Sequence, residues 1–170
     1  MSYDHVACFF GHRTINETEE LKNELYKTIE KLITEEKVNT FLFGSKSRFN
    51  SLCLELVTNI KEKYPYIKRI YVRAEFPDIS DSYRAYLMEN YEDTYYPEKN
   101  RNAHKSVYIK RNYEMIDNSR FCVVYLDDAG MPVNRKSGTV AALEYAVKLN
   151  REIIVFPNEQ NSFYGVAQEK

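Results

Sequence analysis

The chain of 170 residues lacks tryptophan altogether, and it has only three cysteines and five glycines. No apolar run reaches the length of a membrane span, and the first residues lack the charged start and apolar core of a secretory signal. We therefore expect a cytoplasmic protein with no membrane partner. No internal repeat, heptad pattern or low-complexity stretch interrupts the chain, which favours a single domain.

An excess of charge of one sign is also lacking. Lys and Arg number 24 against 25 Asp and Glu, for a formal net charge of -1, so nucleic acid is not an expected partner. Cys8, Cys53 and Cys122 lie in apolar surroundings without the spacing of metal ligands. Each is predicted to be a small buried hydrophobic residue, as is typical of a reducing compartment, and no metal site is predicted.

Short apolar runs alternate with amphipathic stretches along most of the chain. Strands are predicted at residues 6–10, 40–43, 67–74, 121–126 and 153–156. Helices are predicted at about 16–37, 49–60, 82–89, 106–118 and 138–149. This alternation predicts a Rossmann-like α/β fold, with an open, mostly parallel sheet of about five strands and helices on both faces.

The first helix has a recognisable start. Asn16 and Glu19 have the spacing of a capping box, which predicts Asn16 as the N-cap. Apolar residues then recur at helical spacing, namely Leu21, Leu25, Ile29, Leu32 and Ile33.

The domain boundaries follow from where this pattern weakens. Residues 1–157 are predicted to form the domain, and residues 158–170 a C-terminal tail. The Tyr-rich segment 78–104 is longer than an ordinary connection and is predicted to be an insert or a lid.

Polar loops with glycines follow the first, second and fourth predicted strands. In a doubly wound sheet the first and fourth strands are usually neighbours at the switch point, so these loops should converge at one ligand-binding edge. Ser137-Gly138-Thr139, after Lys136, opens a helix and could hold an anion, although Ser137 or Thr139 could equally just cap the helix. Neither a Walker loop nor a GxGxxG pattern is present.

Several individual residues near this edge are candidates for ligand binding or catalysis. Arg13 is a candidate clamp for phosphate or carboxylate, whereas His12 alone would more often be a hydrogen-bonding loop residue. Arg111 and Asn112 lie on a helix, where a solvated face is the simpler interpretation. No Ser/His/Asp triad and no catalytic cysteine can be assembled.

Four motifs together resemble the SLOG superfamily, nearest its YpsA-like branch of unknown function, over residues 4 to 157. They are strand-Gly11-His12-Arg13, Phe43-Gly44-x4-Phe49-Asn50, Lys110-Arg111-Asn112-x2-Met115-Ile116 and Ser137-Gly138-Thr139. The resemblance implies a Rossmann-like fold that binds nucleotides or nucleotide-derived small molecules. Relatives include the Lonely Guy phosphoribohydrolases, the DNA-processing protein DprA and ligand-sensing domains of bacterial antiphage defence.

The resemblance and the loop pattern together give a set of candidate binding residues. They are Gly11, His12, Arg13, Gly44, Ser45, Phe49, Asn50, Arg111, Asn112, Lys136, Ser137, Gly138 and Thr139. The enzymatic branch has a doubled glycine before its Gly-Thr and glutamates close behind it. Here Lys136-Ser137 replace the glycines and the first glutamate comes only at Glu144, which favours binding over Lonely Guy-type hydrolysis.

The loops and the resemblance together predict a protein that senses or sequesters a nucleotide-type ligand, and the resemblance implies a homo-oligomer with a role in bacterial defence or phage counter-defence. Phe49 or Tyr96 would cover the base or ribose. One alternative is an N-glycosidic hydrolase or transferase, with Glu75, Asp127 or Glu144 as the catalytic carboxylate. Another is a protein–protein interaction module that pairs through segment 78–104.

Overall fold

The computed structural model describes residues 2–127 and 137–157, and it confirms the α/β fold. The strands in these residues are β1 (Val6–Gly11), β2 (Thr40–Phe43), β3 (Lys68–Val72), β4 (Asp93–Tyr95), β5 (Phe121–Tyr125) and β6 (Glu152–Phe156). They form one parallel sheet in the order β4-β3-β2-β1-β5-β6. The strand order reverses between β1 and β5, as expected from the sequence, and the crevice at that point is the usual ligand site of such a sheet.

Helices cover both faces of this sheet. In the same residues they are α1 (Glu19–Thr34), α2 (Arg48–Lys61), α3 (Asp81–Leu87), α4 (Val107–Asp117) and α5 (Gly138–Lys148). The core on one face contains the buried apolar residues of α1 and α2, and the core on the other contains those of α4 and α5. Successive residues of β1 point to opposite faces, so Phe9 joins the first core and Phe10 the second.

The first core is the larger, and aromatic rings dominate its centre. Phe9 stacks against Phe43 and Phe41, with ring centroids 5.1 and 5.9 Å apart. The apolar residues predicted for the first helix are all buried here, which confirms the helical spacing. β1 is thus buried on both sides, as its continuous apolar sequence predicted.

The expected strand count was one too low for the residues that the structure describes. The sixth strand, β4, lies inside the Tyr-rich segment, together with α3 and two 3₁₀ turns (Glu98–Asn100 and His104–Ser106). Its three residues pair with β3 at the edge of the sheet, and only Thr94 is buried. Such a short edge strand has neither an apolar run nor an alternation long enough to reveal it.

The predicted N-cap of the first helix was also wrong. Thr18 caps α1, because its Oγ1 accepts a hydrogen bond from the Leu21 N–H at 3.0 Å. The Asn16 N–H instead donates to the Tyr125 hydroxyl at 3.1 Å, in the loop before the helix. The helix ends at Thr34, earlier than expected, and Lys37 has a positive φ of 62° that is incompatible with its continuation.

The predicted tail, residues 158–170, lies outside the described residues. In the ranges that are described, no helix has both the length and the apolar character that crossing a bilayer requires.

Candidate functional site

A cleft of about 1440 Å³ opens at the carboxyl ends of β1, β2, β3 and β5. Its walls are the loops that follow these strands and the amino-terminal turns of α4 and α5, with the N-cap of α2, Ser47, also in the lining. This position is the one that the strand order predicts for a ligand site. The cleft is large enough to hold a nucleotide, because small-molecule sites usually measure about 300–1000 Å³.

The structure brings most of the predicted residues to this cleft. The lining includes Gly11, His12, Arg13, Gly44, Ser45, Arg111, Asn112, Ser137, Gly138 and Thr139. Two of the three candidate carboxylates, Glu75 and Asp127, also line it. Lys136 lies outside the described residues.

Phe49, Asn50, Tyr96 and Glu144 are not part of the lining. Phe49 is fully buried and supports the floor from below: a Cβ on Gly11 would come within 2.7 Å of its ring. It therefore cannot cover a base. Asn50 is also buried, in the first turn of α2, whereas Glu144 is exposed on α5.

Arg111 is the most distinctive group in the cleft. Its side chain, on α4, is 4 % exposed, and its position depends on Gly44, where a Cβ would lie 2.5 Å from Arg111 Cδ. Nη1 donates to the Gly44 carbonyl, and Nε donates to Asn112 Oδ1 at 3.0 Å. Burial lowers the pKa of Arg111, and in the described part of the chain no carboxylate pairs with it.

Arg73 is a second buried arginine in the lining, and the sequence analysis missed it. It follows β3 directly and is 5 % exposed. Its Nη1 donates to Thr94 Oγ1 and its Nε to the Phe76 carbonyl, each at 3.0 Å. Burial, and then the charge of Arg84, lower the pKa of Arg73. A cation placed directly after an apolar strand, as Arg13 nearly is after β1, is the sequence feature that could have revealed it.

Aromatic side chains form much of the remaining wall, namely Tyr71, Phe76, Tyr83, Tyr108 and Tyr125. Tyr71 lines the cleft, and burial raises the pKa of its hydroxyl. The Tyr108 hydroxyl donates to Glu75 Oε1 at 2.8 Å. Phe76 has an unusual backbone for a bulky residue, with φ at 65°.

The amino terminus of α5 borders the same space. Ser137 caps the helix, since its Oγ accepts from the Val140 N–H at 3.1 Å, which is one of the two roles that its sequence left open. Among the residues that the structure describes, none has an atom within 4 Å of a Cβ placed on Gly138. The first N–H groups of a helix carry partial positive charge and suit an anion.

The charge in the cleft is predominantly positive. Among the lining residues that the structure describes, the basic ones are Arg13, Lys46, Arg73 and Arg111, and the acidic ones are Glu75 and Asp127. Arg13 and Lys46 are exposed. The cleft is therefore suited to an anionic ligand, although the chain as a whole is almost neutral.

No protein-family model matches this chain, and no curated protein matches it either. In residues 2–127 and 137–157, no group of three or more His, Cys, Asp or Glu side chains is arranged to hold a metal ion. The functional interpretation accordingly depends on the geometry and charge of the cleft.

Proposed function

We propose that this protein binds a nucleotide or a nucleotide-derived small molecule in the cleft. The observation that carries the proposal is Arg111, a buried guanidinium that has no carboxylate partner among the described residues. Leaving a buried cation without a counter-charge is unfavourable, and an anionic ligand would supply that charge. A phosphate group, like a carboxylate, matches the planar guanidinium through two parallel hydrogen bonds.

Three further features support a phosphorylated ligand. Arg13 offers an exposed guanidinium, the start of α5 offers backbone N–H groups, and Tyr71 offers a hydroxyl donor. The aromatic wall provides apolar surface for a base or a ribose. Each of the four motifs that resemble the SLOG superfamily contributes at least one residue to the lining of the cleft, and membership of that superfamily is part of the proposal.

The biological role that we propose is sensing or sequestering the ligand, as a homo-oligomer, in bacterial defence or phage counter-defence. The resemblance to ligand-sensing domains supports this role. So does the sequence before Gly138-Thr139, where Lys136-Ser137 replace the two glycines of the enzymatic branch. Native mass spectrometry of the purified protein, followed by denaturation, should release an intact nucleotide species. Release of a separated base and ribose phosphate would contradict a purely binding role.

Substitution of the arginines tests the site directly. Isothermal titration calorimetry with AMP, GMP and ribose 5-phosphate should show affinity reduced about tenfold or more in Arg13→Ala and in Arg111→Met, since a hydrogen bond to a charged group contributes roughly 1.5–3 kcal/mol. Arg120→Ala is the matched control, because Arg120 pairs with Glu152 and Glu36 outside the cleft. Folded variants that bind every nucleotide as the parent does would refute the site.

A second candidate function is cleavage or transfer of an N-glycosidic bond. It is favoured by one observation, that the carboxylates of Glu75 and Asp127 line the same cleft as the basic groups. A carboxylate near the ribose C1′ could act as nucleophile or stabilise the oxocarbenium-like transition state. Base release from nucleotides that is lost in Glu75→Gln or Asp127→Asn, but kept in Glu144→Gln, would support this function over simple binding.

A further inference from the structure

We infer that Glu75, Phe76 and Tyr108 form the base-recognition end of the cleft, and that their hydrogen-bonding pattern selects guanine. This inference rests on the proposed function and adds to it the identity of the base. We name these three residues the aromatic rim.

The backbone of Phe76 is the first reason to assign a binding role to the aromatic rim. A bulky residue at a φ of 65° is strained, and 59 % of this one is exposed, so its ring gains little from burial. The conformation is held by Arg73, which donates to the carbonyls of Phe76 and Pro77. Strained residues held in place by their surroundings are concentrated at ligand sites. An exposed aromatic face at the wall of a cleft is a platform on which a base can stack.

The carboxylate of Glu75 is the second reason. It is exposed at the wall of the cleft, and within the described residues no basic side chain neutralises it. Its Oε1 accepts one hydrogen bond, from the Tyr108 hydroxyl at 2.8 Å, which orients the carboxylate. Because each carboxylate oxygen can accept two hydrogen bonds, most of its accepting capacity remains for a ligand.

Tyr108 connects this carboxylate to the proposed anion site. Its ring centroid lies 5.9 Å from Cζ of Arg111, while its hydroxyl contacts Glu75. Tyr108 therefore contacts both Glu75, the proposed base-reading group, and Arg111, the proposed phosphate-binding group. That arrangement suits a single nucleotide, which carries an aromatic ring at one end and a negative charge at the other.

The chemistry of the bases makes guanine the best match. Guanine presents two adjacent donors, N1–H and the N2 amino group, which can both donate to one carboxylate. Adenine presents an amino donor beside a ring-nitrogen acceptor, and that acceptor would face a carboxylate oxygen. Hypoxanthine keeps the N1–H donor but lacks the amino group. The aromatic rim should therefore prefer guanine to hypoxanthine, and hypoxanthine to adenine.

Titration calorimetry of the full chain with GMP, IMP and AMP tests this order. We expect GMP to bind about tenfold more tightly than AMP, with IMP between them, as for other bidentate contacts to a base. Glu75→Gln should abolish the preference, because an amide offers only one acceptor oxygen. Glu62→Gln is the matched control: Glu62 is exposed at the carboxyl end of α2, and its variant should keep the preference.

Phe76→Ala tests the stacking platform separately. It should weaken the binding of all three nucleotides about equally and leave the binding of ribose 5-phosphate unchanged. Equal affinities for GMP and AMP, or a preference for AMP, would refute the inference and leave the proposed function standing. If neither the nucleotides nor ribose 5-phosphate bind the parent protein, the proposed function and the inference both fail.

Discussion

Gly44 shows how a single residue without a side chain positions a functional group. A Cβ at this position would meet Arg111 Cδ at 2.5 Å and Met115 Sδ at 2.8 Å. We predict that Gly44→Ala displaces the guanidinium, weakens nucleotide binding and lowers the free energy of unfolding by about 1–3 kcal/mol, because extra volume strains a packed core. Calorimetry and urea denaturation of the same preparation would measure both effects.

Gly138 provides the control for the effect of that substitution on stability. No atom of the described ranges lies within 4 Å of a Cβ here, and the residue is exposed in the first turn of α5. Gly138→Ala should therefore change the free energy of unfolding by no more than about 1 kcal/mol, in the stabilising direction. Parental affinity in Gly44→Ala would show that the position of Arg111 does not depend on this glycine.

The candidate site could be predicted from the sequence only where a residue's place in the chain determines its place in space. Arg13 and Ser137 follow strands that end at the same edge, so topology alone brings them to the cleft. The direction of a side chain is a different matter. Phe49 lies in the core beneath Gly11, with the buried residues of α2, whereas Arg73 lines the cleft; a position next to the cleft's edge does not by itself distinguish the two.

Among the helices, the start of α1 offers a test of local structure. Thr18→Ala removes the oxygen that accepts the Leu21 N–H, and we predict a loss of about 1 kcal/mol in the free energy of unfolding. Asn16→Ala is the matched control, because only the backbone N–H of Asn16 makes the hydrogen bond to Tyr125. Its effect should stay within about 0.5 kcal/mol. The reverse order of effects in urea denaturation would mean that Asn16 caps the helix in solution.

Long elements with strong periodicity could be predicted, and short elements at the edge could not. The 16 residues of α1 bury one apolar stripe, so their spacing identifies the helix regardless of where its cap lies. β4 owes its existence to tertiary contacts: Thr94 Oγ1 donates to the Tyr71 carbonyl and accepts from Arg73. Contacts between residues about 20 positions apart leave no periodic trace in a sequence.

For the molecule as a whole, the two cores determine how the thiols react. All three cysteines are buried, and burial raises the pKa of Cys53; contact with Cys8 and burial raise that of Cys122. We predict that a disulfide reagent such as DTNB labels none of them in the native protein and labels all three after denaturation. Rapid labelling of a natively folded sample would mean that the core opens readily or that a cysteine is exposed.

The pairing of β1 with β5 has a consequence for how the molecule is assembled during synthesis. Ala7 of β1 pairs with Phe121 of β5. The ribosome therefore synthesises β5, which completes the centre of the sheet, more than a hundred residues after β1. The cleft straddles that pair and also needs the start of α5. A nascent chain from which only β1 to β4 have left the ribosome therefore contains Arg13 and Arg73 but no complete cleft. Ligand in the cell would engage only the finished molecule, and by mass action it would stabilise the last strands to join.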